Sequence, residues 1–434
     1  MMETSLNKRV AAFFVLLFVS LTLSYANTLS SPFNFDDEVV IKTEIATTEV
    51  SEDLFFKFYP PRYRHLFYLS LLFNYSWGEL DPFGYHLFNI SLHLLTCIAV
   101  FFIAFVTIER GTSWGRSAAG AIATITALAF ALNPVHSETV NYISARAVGL
   151  GGLFYLSALL LFILGSFRER GGVSRILFYA GSLICFIASV LSKETGLTFP
   201  AAVLLYDFCF MRRDGWTSFK NRFLLFYLPF LACGAFAVLT ILSMKTMILD
   251  WWGKIDFSYA LKQARIVGHG IHLLLFPVGL TFDYDFPDGF FPHPARRAWP
   301  ILLLAGLVIF AARYFRRAAA MISFGVLWFL LTIAPTNSIL PRTDLLNERN
   351  LYLPSFGVFL LLATTVYYFI LAEHRRPVIR KVGASCLAVF FIFQAALLLD
   401  RNTLYRSNTL LWEDTVKKAP GNFQALHNLS HFYL

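Results

Sequence analysis

"YHLFNISLHLLTCIAVFFIAFVT", residues 85–107, is 23 residues long and contains no Asp, Glu, Lys or Arg. At a rise of ~1.5 Å per residue, a helix of that length crosses the ~30 Å hydrocarbon core of a bilayer. The rest of the chain repeats the pattern. Of 434 residues, 57% are hydrophobic and only 15% charged, against roughly a quarter charged in soluble domains. Apolar runs predict spans near 10–27, 85–107, 118–134, 147–166, 176–192, 196–211, 223–245, 298–313, 319–335, 351–371 and 383–399, eleven in all. The expected fold class is all-α, a polytopic membrane protein with external loop helices and a short helical hairpin at the C-terminus. The first run follows Lys8 and Arg9 like a signal peptide, but it lacks a small-x-small cleavage site and reads as an uncleaved span.

The net charge of +9 does not point to nucleic acid, because that needs a basic face on a soluble module. Basic residues sit instead in short loops: Lys8 and Arg9; Arg110 and Arg116; Arg168, Arg170 and Arg175; Arg212, Arg213, Lys220 and Arg222; Arg313, Arg316 and Arg317; Arg375, Arg376, Arg380 and Lys381. These are 18 of the 36 Lys and Arg residues, and positive loops stay cytoplasmic. The stretch 264–280, with His269, His272 and Pro277, is then an interfacial or re-entrant helix, since a full crossing would reverse every later loop. All five cysteines lie in apolar runs without CxxC spacing, which argues against a disulfide framework or a zinc site.

This topology places six unusual stretches on the non-cytoplasmic side: "FNFDDE" from Phe33, "NPVHSETVNYISAR" from Asn133, "SKETG" from Ser192, "FDYDFPDG" from Phe282, "NERNLYLPS" from Asn347, and everything after residue 400. Asp36 and Asp37, being adjacent, point in different directions and suit different tasks, one accepting a proton and the other orienting a neighbour. Glu138, Tyr142 and Arg146 recur every four residues, which predicts one helical face. His136 precedes that helix. Lys193 and Glu194 sit between two short spans, Glu348 and Arg349 open another, and Arg64 stands before the second apolar stretch. Each has a plain alternative as a capping, snorkelling or surface pair. Asp283, Asp285 and Asp288 lack the regular spacing of a calcium loop. No cofactor is indicated, and a divalent metal is left open.

After residue 400, Trp412, Ala419, Pro420, Ala425, Leu426 and Leu429 fall where a tetratricopeptide hairpin places its packing residues. A single unit cannot bury its own face. Either it packs on the membrane domain or the array continues beyond the chain. The expected division is therefore 1–400 and 401–434.

"FNFDDEVVI", "YRHLFYLSLLFNYSWGELDPFGYHLFNISLHLL", "LNPVHSETVNYISARAVGL", "LSKETGLTFPAAVLLYD" and "NERNLYLPSFG" occur in this order. Together with the hairpin they resemble membrane glycosyltransferases of the GT-C class that carry C-terminal tetratricopeptide repeats, related to protein O-mannosyltransferases. The resemblance covers nearly the whole chain. It implies a polyprenyl- or dolichyl-phosphate-linked sugar donor, a mannose-like hexose favoured, and a hydroxyl acceptor such as a protein Ser or Thr. It also implies Asp36 as base with Asp37 beside it, and Arg146, Arg349 and Lys193 at the donor phosphate. His136, Glu138, Tyr142, Glu194, Glu348 and Arg64 complete the candidate set. When a sugar leaves such a carrier, the phosphate passes from diester to monoester and gains negative charge, which fixed cations stabilise. Two departures stand out. Arg64 is followed by His65 where such enzymes often have proline, and the repeat region is minimal.

The chain's size and basic loops point to a bacterial inner membrane, with site and C-terminus facing the periplasm. A transporter or flippase is the alternative, but it should carry polar pairs near mid-membrane, whereas the charges here gather at one face. A non-catalytic scaffold presenting the hairpin is the third reading.

Overall fold

The computed structural model describes residues 2–47, 64–167, 172–211, 219–220, 222–232, 257–286, 306, 320–337 and 344–433. Among them all regular structure is helical. The helices used below are α1 (Met2–Tyr25), α2 (His65–Gly78), α3 (Pro82–Gly111), α4 (Gly115–Leu132), α5 (Arg146–Ser166), α6 (Val173–Ser192), α7 (Phe199–Tyr206), α8 (Phe257–Leu275), α9 (Ala320–Ile333), α10 (Tyr352–Val366), α11 (Pro377–Thr403), α12 (Asn408–Lys418) and α13 (Phe423–Tyr433).

Among the described residues, seven helical segments are long and apolar enough to cross a membrane: Ala11–Thr28, Pro82–Gly111, Gly115–Leu132, Ile143–Ser166, Val173–Ser192, Glu348–Leu371 and Pro377–Arg406. The chain is an all-α polytopic membrane protein. The 14-residue α9 is apolar but shorter. The run expected at 196–211 is a turn at Glu194–Thr198, the short α7 and a wide turn at Asp207–Met211. The expected span 223–245 lies outside the described residues beyond 232, as do 298–313 (apart from 306), Arg168, Arg170, Arg212, Arg213, Arg313, Arg316, Arg317 and Asp288.

Local chemistry sets the helix ends. Asp81 caps α3 by accepting from the Phe83 amide, with Pro82 in the first turn, where its missing N–H is not needed. Asn133 ends α4 and accepts from the Val135 amide, opening the turn Pro134–His136. The central helix is α5, whose span has 67% of its most apolar window buried inside the protein, against 17% for α11. It packs between α3 and α6, with α4 on the far side of α3. Lipid tails are as apolar as these side chains, so helix association relies on close packing. Gly325 of α9 and Gly357 of α10 show how close: a Cβ on Gly357 would sit 2.6 Å from the Gly325 carbonyl oxygen, and one on Gly325 2.7 Å from that of Gly357.

The stretch 264–280 forms most of α8, which stops ahead of Pro277. Helix α8 lies against the turn Glu348–Leu351, and Asn133 Nδ2 donates to its Leu274 carbonyl at 3.1 Å. At the C-terminus α11 runs through residue 400 to Thr403, and α12 and α13 fold into a hairpin. Trp412 and Leu411 of α12 are fully buried in a cluster with Tyr142, Phe282 and Tyr405, so this hairpin packs on the membrane domain. Phe423, Leu426 and Tyr433 of α13 remain exposed.

Candidate active site

Asp37 anchors the acidic loop. Its carboxylate is fully buried and accepts from the backbone amides of Asn34 (3.2 Å), Ile143 (3.2 Å) and Ser144 (2.6 Å), and from the Ser144 hydroxyl. Burial pushes the carboxyl up to about 7, against the pull of those four donors. All four partners donate, so the arrangement is that of the ionised form.

Asp36, on the other side of the short helical turn Asp36–Val39, is exposed. Its Oδ2 accepts from the Tyr142 hydroxyl at 2.7 Å. Burial, then the charges of Asp37 and Asp36, push Tyr142 well above the ordinary phenol range, so the phenol remains a donor. The residue before Asp36 is strained: Phe35 has φ 49° and ψ −117°, a region that favours glycine and costs a bulky residue ~1–3 kcal/mol.

The Tyr142 ring lies under the guanidinium of Arg349, 5.5 Å from its centroid. Arg349 forms a short ion pair with Glu138, donates its own amide to Glu138 Oε2 at 2.8 Å, and approaches Asp344 at 3.8 Å. Glu138 is fully buried, whereas the Arg349 side chain keeps 22% exposure. Lys193 Nζ donates to Asn350 Oδ1 at 3.3 Å. Arg349, Lys193 and Asn350 line one narrow cleft, with about 10 Å³ of free space or room for about one water, together with Thr195, Thr332 and Thr336. The "SKETG" turn has little slack, since a Cβ on Gly196 would meet the Val190 nitrogen at 2.8 Å.

The expected single helical face through Glu138, Tyr142 and Arg146 does not form. The helix Ser137–Asn141 ends at Tyr142, whose ψ of 111° is extended, and a second turn, Ile143–Ala145, intervenes before α5. The three side chains therefore diverge, and Arg146 is displaced from the cleft. Its guanidinium is fully buried, donating to Asn89 Oδ1 (2.7 Å), the Ser70 carbonyl (3.1 Å) and the Tyr85 carbonyl (3.1 Å) over the Phe88 ring. It braces α2, α3 and α5 against one another and lines an interior pocket, not the cleft with Lys193 and Arg349.

The remaining candidates have assignable surroundings. Arg64 donates to both Glu194 oxygens at 3.1–3.3 Å. Burial acts upward on Glu194, but Arg64 and Lys193 together hold it down at about 2. His136 is buried, with Nδ1 2.7 Å from the Phe130 carbonyl and Nε2 3.0 Å from the Ser355 hydroxyl. That carbonyl only accepts, so Nδ1 carries the proton. Burial and then His93 push the imidazole down to about 3, so it stays neutral. Glu348 turns away from Arg349, accepting from Tyr284 (3.0 Å) and pairing with Arg401 (3.4 Å). Arg401 reaches Asp414 of α12 at 3.4 Å.

Sequence reasoning did not single out Ser144, Asn89, Asn350, Tyr284 or Arg401. Arg401 carried a signal: it is a cation at the end of the last span opposite to the basic loops. Among the described residues no group of three or more His, Cys, Asp or Glu side chains is placed to hold a metal ion.

An exposed acid, a donor phenol and two cations on a cleft thus meet at one end of the membrane domain. No family model matches the chain. Protein O-mannosyl-transferase TMTC3 of Mus musculus is 23% identical across 96% of this chain and 48% of its own length. Protein O-mannosyl-transferase TMTC4 of Homo sapiens is 25% identical across 85% of this chain and 55% of its own. Protein O-mannosyl-transferase TMTC2 of Homo sapiens is 34% identical over a shorter stretch, 42% of this chain and 22% of its own. The chain is related to the protein O-mannosyl-transferases. It spans about half the length, or less, of these relatives, while the alignment to TMTC3 covers the membrane helices and the site together.

Proposed function

We propose that this protein is an inverting glycosyltransferase of the GT-C type. It moves a hexose, mannose being favoured, from a polyprenyl- or dolichyl-phosphate carrier to a hydroxyl acceptor, a protein Ser or Thr. The observation that carries this reading is the join made by Tyr142, which bonds the exposed acid Asp36 and stacks under Arg349. Tyr142 thereby links the proton acceptor of this reading to one of its two cations.

In the proposed step the acceptor O–H gives its proton to Asp36 as its oxygen bonds to the anomeric carbon. The bond from that carbon to the phosphate oxygen breaks on the opposite side, which inverts the centre. The carrier leaves as a monoester with one more negative charge, and Arg349 and Lys193 stabilise it more than the diester it came from. The Thr332 and Thr336 hydroxyls donate to the Trp328 and Ile333 carbonyls, which leaves their lone pairs to accept from a sugar hydroxyl. Arg146, in its buried position, braces the helices behind the site. The hairpin α12–α13 stands as a tetratricopeptide-like unit against the membrane domain 1–400. We place the site and C-terminus on the non-cytoplasmic face, periplasmic in a bacterial inner membrane, on the strength of the basic loops.

The test uses the full chain in nanodiscs with polyprenyl-phosphate mannose and a threonine-containing peptide. Asp36→Asn is expected to abolish mannosyl transfer with the protein still folded, and near-normal transfer by that variant would remove the base. Cysteine labelling at position 40 and at position 376 should report opposite sides of the membrane.

A further inference from the structure

We propose that Trp412, on the hairpin beyond the last span, is a positioning residue for Asp36, so that the hairpin is a working part of the transfer site. The proposal rests on the reading of Asp36 as base. Phe35 directly precedes that acid and holds a left-handed backbone conformation, which persists in a non-glycine residue only when its surroundings over-determine it. Here the surroundings are the hairpin, one loop and the Tyr142 ring, 6.5 Å from that of Phe35. The Phe35 ring packs edge-on against Trp412 at 5.4 Å and against Phe282 at 6.0 Å, and Phe282 packs perpendicular to Trp412 at 5.4 Å and to Tyr142 at 5.3 Å. The neighbouring backbone is held from the same side. Asn408 Nδ2 donates to the Phe33 carbonyl at 3.0 Å, and Asn34 Nδ2 reaches the Tyr405 carbonyl at 3.4 Å.

Asp36 therefore lies between two anchors. On one side Asp37 is tied to Ile143 and Ser144 of the membrane domain. On the other Phe35 is clamped by Trp412. Releasing the second anchor lets Phe35 relax toward an ordinary backbone conformation, and that rotation swings the next side chain away from Tyr142. Among the described residues the indole N–H has no hydrogen-bond partner, although Trp412 is fully buried. The residue thus acts through its ring, and phenylalanine should serve in its place.

The experiment compares Trp412→Ala and Trp412→Phe in the full chain, with polyprenyl-phosphate mannose and a threonine-containing peptide. Misplacing a catalytic group by ~1 Å costs up to about a hundredfold, so Trp412→Ala is expected to lower kcat at least tenfold with the donor KM within about twofold, and Trp412→Phe to stay within about threefold of the parent. A second measurement needs no turnover. Carbodiimide modification of Asp36, read by peptide mass analysis, should change severalfold in Trp412→Ala and not in Trp412→Phe. Where Trp412→Ala does not fold, Phe35→Ala takes its place, because it removes the clamped ring and leaves a residue that the left-handed backbone still strains; the same kcat loss and labelling change are expected. A folded Trp412→Ala that labels and turns over like the parent would overturn the proposal. Asp36→Asn separates the two ideas. If it is silent while Trp412→Ala is active, the base stands and Trp412 loses its role; if it still transfers, the base reading itself falls.

Discussion

The Tyr142 hydroxyl donates a 2.7 Å hydrogen bond to Asp36 Oδ2. That bond aims one carboxylate oxygen and leaves the other for an incoming hydroxyl. Tyr142→Phe keeps the ring packed on Phe282 and under Arg349 while removing the donor. We expect kcat to fall about tenfold, the size of one hydrogen bond of ~1.4 kcal/mol, with the donor KM nearly unchanged. Steady-state kinetics on the nanodisc protein checks it, and a variant with parental kcat would show that Asp36 needs no such aiming.

Asp37 supplies a pH dependence. Its folded pKa is raised from 3.8 to about 7 by burial. Its contribution to stability is therefore fully present below about 3.8 and is lost as pH rises through about 7. The four-donor clasp that fixes the Ile143–Ser144 segment belongs to the ionised form. Transfer should consequently increase with pH up to a plateau above about 7, and Asp37→Asn should erase that inflection. A rate profile flat between pH 5 and 9 in the parent would contradict the assignment.

Arg349 and Lys193 line the same cleft but make different bonds. Arg349 pairs with Glu138 through one guanidinium nitrogen while the same planar group lies over the Tyr142 ring and turns its other nitrogen toward Asp344, a geometry lysine cannot copy. Arg349→Lys should lower kcat/KM for polyprenyl-phosphate mannose by about a hundredfold, comparable to deleting one oxyanion donor. Lys193→Met should raise the donor KM and change kcat less. Equal and small effects of both on the donor KM would remove the phosphate from this cleft.

For Arg146 the expected phenotype is structural. Lysine offers one compact donor group where three acceptors on Asn89, Ser70 and Tyr85 now receive guanidinium bonds. Each buried acceptor left without a partner costs ~1–3 kcal/mol. Arg146→Lys should lower the thermal midpoint of the detergent-solubilised protein by several degrees while the folded fraction keeps its donor KM. A raised donor KM at unchanged stability would return Arg146 to the phosphate.

The sequence disclosed the membrane helices because a bilayer tolerates so few alternatives: the run at 85–107 is the interior of Pro82–Gly111. It also disclosed the ingredients of the site, since acids and bases gathered at the same ends of separate spans stand out against an apolar background. Their partnerships were hidden. A four-residue period through Glu138, Tyr142 and Arg146 could not reveal that Tyr142 leaves the helix, because that break depends on Asp37 holding the Ile143 and Ser144 amides from over a hundred residues away. Trp412 was legible as a packing residue, yet its neighbours Phe35 and Phe282 come from distant loops and exist only in three dimensions. Arg146, a charge at the end of an apolar run, looked available and is instead enclosed.

The contact between Gly325 and Gly357 reaches further than helix packing. Thr332 and Thr336 follow Gly325 along one side of the cleft, and Leu353 and Pro354 precede Gly357 along another. The two bare backbones act as a calliper stop: they set how far apart those walls stand, and hence the gauge of whatever is admitted between them. One methyl group added at that seam would reset the gauge without altering a single residue that faces the opening.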